Sequence, residues 1–221
     1  HGAAAVISVI ATMATTEAAA VAAASAAAPA AASLSEDEFL LFSPSELRGK
    51  YLNTSQENFA NTLAISTFSF TAVAQRAEKI MPNGGSILTL TYYGSEKVLP
   101  HYNVMGVAKA ALEASVRYLA MDLGPQNIRV NSLSAGPMKT LAMAGISGGK
   151  GMLKWSDKNS LMQRNINLED VGKSGLYLLS DLSSGVTGEN HYVDCGYNKV
   201  GVPREILFFS VSSEYCLLTV P

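Results

Sequence analysis

Beyond about Leu47 the apolar residues recur in two alternating rhythms, which predict helices and strands in turn. Phe59, Leu63, Phe70, Val73, Ala77 and Ile80 are spaced three, four or seven apart. That spacing predicts one helix over about 55–79, ended by Met81-Pro82-Asn83-Gly84-Gly85. Ser86 to Thr91 is nearly continuous in apolar character at Ile87, Leu88 and Leu90, the texture of a strand covered on both faces. Val104, Val107, Ala108, Ala111, Leu112, Val116 and Leu119 predict a second long helix over about 103–123, closed by Gly124-Pro125. Ile128 to Leu133 reads as the next strand, and Ser134-Ala135-Gly136-Pro137 as its C-terminal loop. A third helix is predicted from near Asn167, which can cap it with Asp170 three residues on, and which carries Val171, Leu178 and Leu179 inward. Thr187-Gly188 then turns into a last strand, Asn190 to Val193.

Strands joined by helical crossovers predict an α/β fold, here a partial Rossmann-like doubly wound parallel sheet with three strands. In such sheets ligands bind outside the C-terminal ends of the strands. The first part of the chain has a different texture. About half of the residues from His1 to Ser33 are alanine, Glu17 is the only charged side chain there besides His1, and Pro29 interrupts the run. This predicts a low-complexity extension. It has neither a basic start nor an early arginine, the first being Arg48, so it does not read as a secretory or transit signal, and alanine is too weakly apolar for a membrane span. The chain is therefore divided into an Ala-rich extension (1–45), a Rossmann-like unit (46–203) and a tail (204–221).

Charge alters this picture little. Lys and Arg number 16 against 18 Asp and Glu, and no basic cluster stands out, so a nucleic-acid partner has no electrostatic support. Cys195 and Cys216 make neither a disulfide framework nor a zinc site, and His1, His101 and His191 have no metal-ligand spacing. A reducing, cytoplasmic setting is expected. Gly145 to Gly151 looks superficially like a phosphate loop, but its glycines are wrongly spaced before Lys150, and a surface loop is expected there.

The informative constellation is Tyr92, Tyr102 and Lys109. Tyr102 and Lys109 are seven residues apart at the start of the second long helix, close to two turns, so both point to one side. A lysine there leans back toward the helix N-terminus. Its charge would favour the phenolate of Tyr102 and could hold a sugar hydroxyl. A tyrosine so placed can stabilise an oxyanion or deliver a proton. Tyr93 and Lys97 form a shorter spacing of the same two residue types, but they precede Pro100 in what reads as a loop and lack a shared helical face.

The run Thr91-Tyr92-Tyr93-Gly94-Ser95-Glu96 through Pro100-His101-Tyr102-Asn103-Val104-Met105-Gly106-Val107-Ala108-Lys109-Ala110 resembles the active-site segment of type I enoyl-acyl-carrier-protein reductases, members of the short-chain dehydrogenase/reductase superfamily. Their mark is Tyr, six residues, Lys, with a second Tyr ten residues ahead. The resemblance continues through Arg129-Val130-Asn131, Ser134 to Pro137, Lys139 to Ala142, Gly145-Ile146, Glu169 to Gly172 and Thr187 to Asp194, and covers about seven-tenths of the chain. It implies NADH as cofactor, an enoyl thioester on acyl carrier protein as substrate, and a homotetramer built on the helices that bear Lys109. Tyr102 would stabilise the enolate and Tyr92 would orient the acyl chain. Lys109, Pro137, Met138 and Thr140 would hold the cofactor, and Met105, Ala142 and Ile146 would wall the acyl pocket.

The family's N-terminal half, with its glycine loop and inner strands, has no counterpart by this reading. Phe39-Leu40-Leu41-Phe42 is the candidate trace of its fourth strand, and the edge of the Ser86–Thr91 strand is expected to lie bare. Ile206-Leu207-Phe208-Phe209 in the tail has an aggregation-prone character. Cys195 stands where the family has a small residue. Two alternatives remain open: an inactive fragment that associates through its long helices, and another superfamily member acting on carbonyls.

Overall fold

The computed structural model describes residues 5–8, 49–139 and 148–204. Four parallel strands form one sheet in the order β1 (Ala5–Ser8), β2 (Gly85–Thr91), β3 (Ile128–Ala135) and β4 (Asn190–Val193). Three of these are the predicted strands. β1 was not anticipated, and it corrects the expectation of a bare edge, because Ala5 to Ser8 pair with Gly85 to Leu88. An unpaired row of backbone groups is a template for any extended segment, and Val6-Ile7 is one of the β-branched pairs in the alanine-rich head. Phe39–Phe42 and Ile206–Phe209 lie outside the described residues.

The sheet is covered on both faces. Ile87, Ile128 and Val130 pack against Leu112, Val116 and Ala120 of α3 (Asn103–Leu123) and Phe70, Ala74 and Ala77 of α2 (Ser69–Glu78). Leu88, Leu133 and Ala135, on the opposite face, pack with Leu178 of α5 (Leu168–Leu179) and with Ile166. The alternation Ile87/Leu88 shows why strand and helix periods must agree: neighbouring residues of a strand serve different layers.

The first predicted helix is present with an altered middle. α1 (Gln56–Leu63) and α2 flank a widened π-type turn, Ala64–Phe68. Its buried row, Thr62, Ser66, Phe70 and Ala74, therefore advances by four each time instead of alternating three and four. The shift leaves Phe59 and Ile80, both expected inside, at 36% and 53% exposure. α4 (Gly149–Asn159) was also missed. Its glycines at 149 and 151 hide a helical start, and the described end of the expected Gly145–Gly151 loop is its first turn. α5 begins as predicted, with Asn167 and Asp170 forming a reciprocal cap.

Arg129 of β3 ties α5 to the sheet. Its guanidinium donates to the carbonyls of Leu178, Ser180 and Val186 and to Ser183 Oγ at 2.8 to 3.2 Å, which joins the end of the helix to the loop that follows it. Arg129→Met keeps the stem and removes every donor, and urea unfolding should show a loss of about 2 kcal/mol. An unchanged midpoint would mean that water serves those carbonyls equally well.

Candidate functional site

Pairing of Thr91 with Ser134 brings the C-terminal ends of β2 and β3 to one edge of the sheet. Tyr92 is the first residue past β2. After a short turn at Tyr93–Ser95 the chain enters α3, with Tyr102 at its N-cap. His101 and Asn103 on either side of Tyr102 both have positive φ, 65° and 40°, an uncommon conformation that the surroundings must impose. Asn103 Nδ2 donates to Gly49 O at 3.1 Å, one of the contacts that fixes this corner.

Gly94 supplies the floor of the site. A Cβ there would lie 2.3 Å from Tyr102 Cδ1, and one on Gly106 would lie 2.7 Å from Gly94 O, so the turn, the helix and the ring interlock without room for a methyl group. Gly94→Ala is expected to displace the ring, alter the near-ultraviolet circular dichroism of the tyrosines and cost about 1–3 kcal/mol by overpacking. An unshifted spectrum with unchanged stability would refute this interlock.

Tyr92 and Tyr102 meet edge to face with ring centroids 5.3 Å apart, and Met105, Leu99 and Met152 of α4 close around them. The Tyr92 hydroxyl points at Met152 Sδ, 2.9 Å away. The Tyr102 hydroxyl is buried and has no hydrogen-bond partner among the described residues. Burial pushes the Tyr102 phenol well above its ordinary range and the charge of Glu113 adds to the effect; Tyr92 is raised likewise, by burial and then by Tyr197, Tyr102 and Asp194. Lys109 is not among the groups that shift the Tyr102 phenol, so burial and Glu113 together hold Tyr102 as a neutral hydrogen-bond donor.

Lys109 is fully buried, and its ammonium donates to Leu90 O at 3.0 Å. Burial lowers its pKa to about 8, against the opposing field of Glu113. Glu113 itself is buried and accepts from Thr91 Oγ1 at 2.6 Å. In the loop after β3, Gly136 N donates to Val193 O at 2.9 Å and Gly136 packs on Asp194 too closely to admit a Cβ. Pro137 is buried, and the Met138 side chain joins the core around Leu88 and Leu133. Thr140, Ala142 and Ile146 lie outside the described residues.

Of the sequence candidates, the structure thus brings Tyr92, Tyr102 and Met105 into contact, anchors Lys109 on Leu90 O of β2, and leaves Pro137 and Met138 on the neighbouring loop. Tyr93 and Lys97 do not share a helix; Tyr93 lies in the turn with its hydroxyl donating to Asn198 O at 3.0 Å. Leu99, Met152 and Glu113 were missed. Glu113 had a signal, since it breaks the inward apolar row beside Leu112 and Val116 one turn beyond Lys109. No group of three or more His, Cys, Asp or Glu able to hold a metal ion, and no helix long and apolar enough to cross a membrane, occurs among the described residues.

Residues 40–198 match the family model described as Enoyl-(Acyl carrier protein) reductase. Over 157 residues the chain is 66% identical to Enoyl-[acyl-carrier-protein] reductase [NADH] 1 of Rhizobium meliloti (strain 1021), an overlap covering 71% of this chain and 58% of that protein. It is 53% identical over 155 residues to Enoyl-[acyl-carrier-protein] reductase [NADPH] FabI of Staphylococcus aureus (strain MRSA252), covering 70% and 60%. Among solved structures, FabI from Candidatus Liberibacter asiaticus superposes with a TM-score of 0.72 at 56% identity, covering 74% of this chain and 63% of that one. The reductase of Anaplasma phagocytophilum in complex with NAD gives 0.71 at 59%, covering 74% and 62%. The chain spans about three-fifths of the length of the curated relatives it matches.

Proposed function

The chain belongs to the enoyl-(acyl carrier protein) reductase family, and from that premise we propose that it acts as an NADH-dependent reductase of trans-2-enoyl thioesters carried on acyl carrier protein, in fatty acid biosynthesis. The observation that carries this reading is the Tyr102 hydroxyl, a neutral donor buried without a partner among the described residues, beside the C-terminal edge of the sheet. An orphan donor in an apolar pocket is costly unless a ligand oxygen completes it, and a thioester carbonyl is such an oxygen.

The roles follow from position. A reduced nicotinamide, when bound, supplies the hydride that adds to the β-carbon. The electron pair displaced from the double bond moves toward the thioester oxygen, where the Tyr102 hydroxyl stabilises the developing negative charge by hydrogen bonding. The enolate then takes a proton from solvent water at its α-carbon, which completes the saturated thioester and leaves the oxidised nicotinamide and hydroxide. Lys109, with protons beyond the one given to Leu90 O, would hold the ribose hydroxyls; Pro137, Met138 and Thr140 would line the nicotinamide end. Tyr92, Met105, Ala142 and Ile146 would wall the acyl chain, and Met152 must yield for the chain to reach Tyr102. The reductase unit is taken as 46–203, with the strand Ala5–Ser8 added to its sheet. A cytoplasmic setting and a homotetramer built on α3 complete the proposal; exposed Tyr118 and Met121 on that helix suit a self-association face.

NADH oxidation with crotonyl thioester is the direct test. Turnover that requires both substrates supports the reading. A chain that neither binds NADH nor oxidises it with the thioester would overturn it, and light scattering that shows only monomers would remove the tetramer.

A further inference from the structure

Glu113 has no part in the proposed reaction, yet it is a carboxylate 7% exposed in an inward row that is otherwise largely apolar. It lies four residues beyond Lys109 on α3, so the two side chains share a face one turn apart. Consecutive residues of β2 hold the two groups. Leu90 O accepts from the ammonium at 3.0 Å, and Thr91 Oγ1 donates to the carboxylate at 2.6 Å, a short, charge-assisted contact. We propose that Glu113, fixed by the Thr91 hydroxyl, is a positioning residue that supplies the buried counter-charge keeping Lys109 an ammonium aimed along the end of β2. The use of that ammonium on a ribose rests on the function proposed above; the pairing of the charges does not.

The chemistry demands such a partner. A lysine without solvent contact loses most of its hydration, and its proton is retained only where a negative charge offsets that loss. Among the described residues, Glu113 also acts on Tyr102 of the same helix and Tyr192 on β4. Both are phenols raised by burial, so neither adds charge near neutrality. Tyr192 is in addition hydrogen-bonded to Glu96, which faces it from the loop after β2. The direction of the Lys109 shift agrees: burial pulls it down to about 8 and Glu113 opposes the fall.

The test reads Lys109 through stability, with no cofactor present. Urea unfolding is followed from pH 6 to 10.5 for the parent chain and for Lys109→Met, in the native background and with Glu113→Gln, which keeps an acceptor for Thr91. The stability difference between the pair should begin to change near pH 8 in the native background. With Glu113→Gln it should begin about one pH unit lower. Thr91→Val should move it the same way and Thr91→Ser should restore it. The same onset in both backgrounds overturns the proposal, including when every variant is equally destabilised, because a merely structural Glu113 would lower all curves without moving their pH dependence. Absence of NADH binding would remove the reductase function and leave this comparison intact.

Discussion

Tyr102→Phe is expected to reduce turnover of enoyl thioester by about 10²- to 10⁴-fold while leaving the fold at least as stable as before. Both halves come from one atom. In the proposed reaction the hydroxyl is the donor for the developing oxyanion, so its loss acts on kcat more than on KM. Without a ligand it is a buried polar group with no partner among the described residues, so removing it should stabilise the chain by about 1 kcal/mol. Thermal unfolding without substrate and steady-state kinetics with it measure the two separately. Turnover within threefold of the parent would end the assignment of Tyr102, and a clear loss of stability would mean that the hydroxyl has a structural partner.

Lys109→Met should be more stable than the parent at neutral pH, with an advantage that vanishes in alkali. The folded pKa of Lys109 is about 8 against an ordinary 10.5. The folded chain therefore binds this proton more weakly than the unfolded chain does. The penalty is fully present below pH 8 and fades as pH rises toward 10.5, worth about 3 kcal/mol in total. Loss of the hydrogen bond to Leu90 O returns about 1 kcal/mol of that. The pH dependence is the diagnostic part, since methionine and neutral lysine are similar in bulk. A stability difference flat from pH 6 to 10.5 would show that Lys109 is not the buried cation described here. The same substitution should abolish NADH binding. Together these two variants describe a site that trades stability for chemistry, keeping a donor and a cation in an apolar setting until ligands complete them.

Much of this was legible in the chain itself. The seven-residue interval from Tyr102 to Lys109 placed both at the start of one long helix, and that helix spans Asn103–Leu123 as its apolar rhythm required. The cap at Asn167 and Asp170 and three of the four strands were equally local. The strand at Ala5–Ser8 was not, because its pairing depends on a bare edge far away in sequence, and four residues carry too little period to announce it. Nor was the widened turn at Ala64–Phe68, where packing against α3 moves the buried face off the regular repeat.

Local rhythm and turn chemistry by themselves determined the helices, the strands and which residues share a face, because side-chain direction follows directly from the backbone period. Only the tertiary structure decided the state of the site: that Tyr102 is a neutral donor without a partner among the described residues, that Gly94 leaves just enough room for its ring, and that Glu113 is buried and held by Thr91. Those properties depend on how much water each group has lost and on which groups crowd it, and burial is the sum of contacts from β2, α3, α4 and the turns between them rather than a property of any one segment.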